Sequence, residues 1–243
     1  MEKLSHHYGE SITVFLVVMV ILNEVRKGYF RGIRLYFKSS SFSYNPLLLL
    51  VFVILFASVF FFDAQLLVLL QTFHDPLSDF LVNFGGFFGR DLNLYFILTG
   101  CYLLALIVKR KNWSKIIFGA LLTSILTALG SHILKVTFLR ARPYGNLGPY
   151  SFFHLSGLTK MKSLFQSLPS GDVAIVAGAT SYLFCTLKNR YSRWLIFLTP
   201  FSTAFSRVSL NRHWPSDTLL SIGVSLMMAC LVWGYERKAH ELA

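Results

Sequence analysis

Charged side chains are scarce in this chain. They make up 14% of its 243 residues, where a soluble domain carries about 25%. Hydrophobic residues supply 54%, and mean hydropathy is +0.57. This balance excludes an ordinary soluble domain, a disordered chain and a coiled coil, and it leaves a polytopic membrane protein. Cysteine is scarce as well. Cys101, Cys185 and Cys230 all sit in apolar stretches, and an odd, scattered set is packing material rather than a disulfide framework. Neither Cys-x-x-Cys nor His-Glu-x-x-His occurs, so no metal and no cofactor is expected. Gly85, Gly86 and Gly89, ahead of Arg90, lack the spacing and the Lys-Ser/Thr of a nucleotide loop. They read as a tight entry to the next helix. The chain also lacks internal repeats and low-complexity tracts.

Acidic residues are the rarest charged class, 11 against 23 Lys and Arg, giving a net charge of +12. The bases are not gathered on a soluble domain, which disfavours nucleic acid as the partner. Topology or an anion must explain them. Six apolar segments approach the roughly 20 residues that cross a bilayer: Pro46 to Phe62, Leu92 to Ile107, Ile116 to Leu134, Val173 to Leu187, Trp194 to Phe205 or Leu210, and Thr218 to Tyr235. The expected fold is therefore all-α, a polytopic integral membrane protein built as a six-helix transmembrane bundle over residues 46–243. Residues 1–45 read as a cytoplasmic N-terminal segment. Within it, Ile12 to Leu22 is short for a span and no cleavage site follows. Glu10 to Lys38 reads as an amphipathic interfacial helix with Tyr29, Phe30, Leu35 and Phe37 toward lipid, a seventh span being the alternative.

The bases divide unevenly between the two sides. Fifteen of the 23 flank the termini and alternate loops, including Arg26, Lys27, Arg31, Lys109 to Lys111, Lys188, Arg190, Arg193 and Arg237. The positive-inside rule puts that side, and both termini, in the cytoplasm. Trp113, Trp194 and Trp233 fall at the same ends, as interfacial anchors do. Of the eight outside bases, seven crowd into two loops, as Lys135, Arg140, Arg142, Lys160 and Lys162, then Arg207 and Arg212. Topology alone would not place them there.

Three segments at the outer helix ends carry candidate chemistry. The first is Lys135-x6-Arg142-Pro143. The second is Pro169-Ser170-Gly171-Asp172, opening an apolar helix. The third is Ser206-Arg207-x5-His213-x3-Asp217. Lys135 and Arg142, seven apart, share a face if the helix continues; singly, each is as readily a snorkelling base. Pro-Ser-Gly is a helix start, with Ser170 as cap, and a helix N-terminus also suits phosphate. Asp217, four residues beyond His213, can orient an imidazole, or simply form a local bond. Together they offer cations, a helix N-terminus and an oriented nucleophile, the parts that phosphoryl transfer uses.

In this order the segments resemble the KxxxxxxRP, PSGH and SRxxxxxHxxxD motifs of the type 2 phosphatidic acid phosphatase superfamily. That superfamily includes vanadate haloperoxidases and bacterial membrane lipid phosphatases. The resemblance covers about Ile116 to Tyr235, and the first and third motifs match at every defined position. It implies that Lys135, Arg142 and Arg207 hold phosphate oxygens, aided by Ser170 and Gly171. It implies that His213 attacks phosphorus to form a phosphohistidine, that Asp217 orients it, and that no metal takes part. The departure is Asp172, where the family has the histidine that protonates the leaving group. Asp172 could substitute for it, His154 or His132 could supply the proton, or the leaving group could need little help.

The expected substrate is a phospholipid or glycolipid phosphate at the outer face of a bacterial inner membrane. The Arg-Ala-Arg-Pro stretch and the long third loop resemble those of bacterial lipid A phosphatases, and this resemblance favours lipid A. Phosphatidylglycerophosphate and undecaprenyl diphosphate are competing substrates. Phosphoryl transfer to another lipid and non-catalytic lipid binding are the rival functions. Arg140, Arg212, Lys160 and Lys162 are either solvated loop charges or a grip on a second phosphate or sugar acid. Phe152, Phe153, Leu155 and Leu158 read as a lipid-contacting flap.

Overall fold

The computed structural model describes residues 2–30, 46–90, 92–153 and 163–241. Among these the chain is all-α. The helices are α1 (Glu2–Arg26), α2 (Pro46–Phe61), α3 (Asp63–Gln71), α4 (Pro76–Phe88), α5 (Asn93–Ile107), α6 (Lys111–Phe138), α7 (Gly171–Thr186), α8 (Arg190–Ser209) and α9 (Pro215–Glu241). Each apolar segment singled out in the sequence lies on one of them.

Helix α7 is the hub, packed against α6, α8 and α9. Its buried stripe of Ala174, Ala177, Gly178, Ala179 and Ser181 is small enough for neighbouring backbones to come close, the usual basis of helix packing where lipid removes the hydrophobic drive. Tyr102, Phe118, Leu121, Val176 and Tyr182 fill the largest apolar cluster around it. Buried hydroxyls do not compete with this packing. Thr123, Thr127, Thr180 and Ser225 each donate to a carbonyl four residues earlier in their own helix, which satisfies them without a partner helix. Leu47, Leu48, Ile54, Ile107 and Leu195 on the outer surface are all more than half exposed.

Length separates the helices. Two stretches, Lys111–Gly145 and Pro215–Lys238, are long and apolar enough to cross a membrane. Two bent pairs raise this to as many as four: α2 with α3, bent by 72°, and α4 with α5, bent by 64°. The expected set of six full-length spans is thus shown only in part. Helix α7 has 16 residues, or about 24 Å at 1.5 Å per residue. Helix α8 carries Pro200 and several hydroxyls that lower its apolarity.

Residues 63–88, between the first two apolar segments, form α3 and α4. Asp75 starts α4 by accepting the backbone N–H groups of Leu77 and Ser78, while Ser78 Oγ accepts the N–H of Asp75. Pro76 occupies the first turn of this capping box. The glycines also have another role than a helix entry. Gly85 and Gly86 lie inside α4, and α8 crosses directly over them. A Cβ on Gly85 would stand 2.1 Å from the carbonyl oxygen of Ser202.

The N-terminal helix departs furthest from expectation. It stops at Arg26 instead of running to Lys38, and Gly28 follows in the left-handed region at φ 81°. Thr13 and Lys135 line one cavity toward the site end of the bundle, whereas Asn23 and Glu24 meet Tyr102, and Glu24 and Lys27 lie with Lys111 and Lys115, toward the other. Helix α1 therefore runs antiparallel to α6. Tyr29 does not face lipid. It donates to Glu236 and stands edge-on to Phe118. The start of α1 and the end of α9 accordingly lie at opposite ends of the bundle, not on one side. Leu35 and Phe37 lie outside the described residues.

The α4–α8 crossing gives a direct stability test. Gly85→Val should destabilise the purified protein by about 1–3 kcal/mol through overpacking, read as a lower midpoint in thermal unfolding. Gly100→Ala, where an added Cβ meets nothing within 4 Å, should not.

Candidate active site

The three motifs converge at one end of the bundle. Helix α6 ends at Phe138, and Leu139 takes a left-handed conformation at φ 44°. The chain then turns, so Lys135 and Arg142 do not share a continuing helical face. Arg142 is instead fixed in extended backbone, its N–H donating to Leu164 O at 2.8 Å. Its Nε is buried without a hydrogen-bond partner among the described residues. Lys135 reaches the start of α7, where a Cβ on Gly171 would stand 2.8 Å from its Nζ. Only glycine leaves that approach open.

Ser170 precedes α7 in extended backbone but does not cap it through its side chain. Its Oγ is buried and unpartnered among the described residues. Its backbone is locked onto α9, with Ser170 N donating to Asp217 O at 3.2 Å and Ser221 Oγ donating to Ser170 O at 2.8 Å. The first turn of α7 thus adds helix N–H groups and a spare hydroxyl to the cations, a setting suited to an anion.

His213 is 1% exposed. Its Nδ1 lies 2.8 Å from Ser167 O. A carbonyl only accepts, so the proton sits on Nδ1 and the lone pair on Nε2. The nearest Asp217 oxygen is 3.6 Å from Nδ1, beyond hydrogen-bonding range. Asp217 therefore acts on the ring by charge, while the Ser167 carbonyl orients it. Burial pushes the imidazole below its ordinary 6.5; Asp217 opposes this, and the Arg142 and Lys135 charges add to it. A neutral ring with its lone pair on Nε2 is the form able to act as a nucleophile.

Asp217 is held on every side. It accepts from Arg140 at 2.6 Å, from Trp214 N at 2.9 Å and from Ser167 Oγ. Arg140 was expected among the outer loop bases; it is 0% exposed. Its guanidinium also donates to Asp63 at 2.6 Å, to Ser216 Oγ at 2.8 Å and to Pro149 O at 2.9 Å. Phe60, Phe152 and Trp214 surround it with ring faces, at 5.2, 5.2 and 5.6 Å. Neither a solvated charge nor a grip on a second phosphate describes it. Asp63 in turn accepts the N–H and hydroxyl of Ser216.

Arg207, 4% exposed, donates to Gly89 O at 2.6 Å and pairs with Asp172 at 2.8 Å. Asp172 thus holds one of the expected phosphate ligands. A polar hollow of about 280 Å³ beside it is lined by Asn83, Arg90, Asp172, Arg207 and Arg212. Arg212 and Phe153 are exposed, and His132 sits near Lys135 on an apolar cavity wall. His154, Leu155, Leu158, Lys160 and Lys162 lie outside the described residues. Among the described residues, no group of three His, Cys, Asp or Glu side chains is placed to hold a metal.

The structure thus brings together Lys135, Arg142, Ser170, Gly171, Asp172, Arg207, His213 and Asp217. Asp63, Ser167 and Ser216 were missed. An acid directly after an apolar run was a usable signal for Asp63, because such residues need a buried partner. Nothing local marked Ser167.

The profile of the PAP2 superfamily matches residues 114–241. The chain belongs to the PAP2 superfamily. Its members are typically metal-independent phosphomonoesterases, and this chain is a phosphatase of that kind. No curated protein matches the sequence. Among solved structures, the crystal structure of LpxE from Aquifex aeolicus is similar, at 18% identity and a TM-score of 0.50, covering 70% of this chain and 94% of that one. At that identity the likeness concerns the fold alone. The PAP2 region begins in α6, so the Asp63 anchor comes from outside it.

Two measurements test the site. In ¹⁵N NMR, His213 should stay neutral, protonated on Nδ1, as pH falls through 6.5, and should charge only below it. Arg140→Met leaves Asp63 and Asp217 buried without their cation. It should cost about 3–5 kcal/mol of stability, and a second change, Asp63→Asn, should recover part of the loss.

Proposed function

We propose that this PAP2 protein removes a phosphate from a lipid through a phosphohistidine on His213. The observation that carries the reading is His213 itself, a buried imidazole whose Nδ1 is held by the Ser167 carbonyl so that Nε2 is the ring nitrogen left to react, beside Lys135 and Arg142 and the open first turn of α7. Lys135, Arg142 and Arg207 hold the phosphate oxygens, with Ser170 Oγ and the N–H of Gly171 as further donors. The Nε2 lone pair forms the N–P bond as the P–O bond to the lipid breaks, and the departing oxygen takes a proton. Water then attacks phosphorus, the N–P bond breaks and phosphate leaves. The Asp217 charge stabilises the ring while it is phosphorylated, and Ser167 keeps Nε2 aimed.

Asp172 is our candidate for the group that handles the leaving oxygen. It stands in the family's acid position and between the polar hollow and an apolar cavity. When phosphate takes Arg207, the Asp172 carboxyl is released from its ion pair; in its protonated form it gives its proton to the departing lipid oxygen, and the carboxylate left behind takes a proton from the water that attacks the phosphohistidine.

The remaining apolar helices complete a six-helix membrane bundle with α1 as an added crossing. Its site end faces the periplasm of a bacterial inner membrane. This orientation rests on the bases at the opposite end, among them Lys109, Lys111, Lys115, Lys188, Arg190 and Arg193. Lipid A is the favoured substrate, on the Arg-Ala-Arg-Pro stretch and the long third loop. Phosphatidylglycerophosphate and undecaprenyl diphosphate are its competitors.

Phosphate release from lipid A, phosphatidylglycerophosphate, undecaprenyl diphosphate and phosphatidic acid in detergent tests the reading. Wild type should turn over at least one, and His213→Ala should lose at least ~10³-fold. Equal release by both proteins contradicts it. Asp172→Asn should slow the substrate with the poorest leaving group most, and Asp172→His should restore it. Full activity of Asp172→Asn on every substrate removes Asp172 from the chemistry.

A further inference from the structure

An apolar cavity of about 530 Å³ opens beside the phosphate-binding end. Lys135, Gly171 and Asp172 form its polar end, and these residues also belong to the candidate active site. From there it runs between α1, α6 and α7. Val14, Val17, Val18 and Ile21 of α1 wall one side, and Ile125 and Leu129 of α6 face them. The α1 residues recur at helical spacing, so they present one continuous face.

We infer that this cavity receives an acyl chain of the lipid whose phosphate is bound at Lys135, and that α1 sets which chain lengths fit. The inference rests on the lipid phosphatase reading. Three observations support it. The cavity is continuous with the site, so a chain entering it is attached to the phosphate being processed. Its direction is right, because from Lys135 to Ile125 the wall follows α6 back toward the bundle middle for ~15 Å, and a bilayer lipid's chain must take that path. Ser131 also lies on this wall, one helical turn from Lys135. Its Oγ is buried and without a hydrogen-bond partner among the described residues. A hydroxyl there meets the ester or amide carbonyl that joins chain to head group. A soluble phosphate ester would use neither the apolar wall nor this hydroxyl.

Helix α1 lies outside the matched PAP2 region. Fully packed helices would leave no room for a chain. Val14 and Val18 stay 53% and 45% exposed along the open edge, the side by which a lipid slides in.

The test compares release from phosphatidic acids with hexanoyl and palmitoyl chains, using the full protein in detergent. Val17→Trp fills the cavity and should lower the palmitoyl-to-hexanoyl ratio of kcat/KM at least tenfold, with Val14→Phe lowering it less. Leu195→Trp, on the outer face of α8 and 72% exposed, should leave the ratio within twofold. An unchanged ratio in Val17→Trp overturns the inference. A second readout does not depend on turnover. In a His213→Ala background, Val17→Trp should weaken binding of a fluorescent long-chain alkyl phosphate at least tenfold, and equal Kd values overturn the cavity assignment. Binding that weakens as expected, with no release from any lipid by wild type, leaves the cavity standing and removes the lipid phosphatase reading.

Discussion

One buried guanidinium organises the active end of this molecule. Arg140 bridges Asp63, at the α2–α3 bend, and Asp217, in the first turn of α9. Three aromatic rings exclude water from it. Three charged groups taken out of water are tolerable only when paired and hydrogen-bonded, and Arg140, Asp63 and Asp217 each are. Asp217 uses its remaining capacity on Trp214 N and Ser167 Oγ. The second of these fixes the segment whose carbonyl holds His213. Removing Arg140 would therefore loosen the bend, the α9 start and the imidazole together.

The cations divide by role. Arg140 is internal and satisfied by carboxylates. Lys135 and Arg142 lie nearer the opening, and Arg142 keeps a buried Nε unpaired. Arg207 is occupied by Asp172 and Gly89, so an arriving phosphate must compete with a carboxylate for it. This makes Asp172 more than a lost histidine, because the acid at that position tunes how readily one arm of the clamp is free. The net surplus of positive charge, puzzling in so oily a chain, has at this end a local use on a phosphate dianion.

Much of the site was legible in the sequence. The three motifs carry residue types whose shared chemistry is phosphate binding, and they converge as their order suggested. The apolar segments also marked most helices correctly. Other features escaped for physical reasons. Arg140 looks like its neighbour Arg142 in sequence, and only the fold shows that one points into protein and the other toward the opening. Ser167 acts through its backbone carbonyl, which every residue possesses, so its identity carried no signal. Residues 63–88 fall between the first two apolar segments, and their shorter apolar stretches do not reach the length of a span; Asp75 is a cap there and Asp63 a buried partner. Helix α1 read as interfacial because its apolar core is short. The true partners of this N-terminal segment, Tyr102 and Glu236, lie 79 and 207 residues from Asn23 in α1 and Tyr29 just beyond it, too distant for any local pattern to reveal.

The central claim is that this network exists to present Nε2 of a neutral His213 to phosphorus. Phosphorylating the protein with a substrate it turns over, quenching in alkali and locating the phosphate by ³¹P NMR and peptide mass spectrometry tests it most directly. Phosphate on Nε2 of His213 is the predicted result. Phosphate on Nδ1 or on another residue would contradict it, as would turnover with no phosphorylated protein formed.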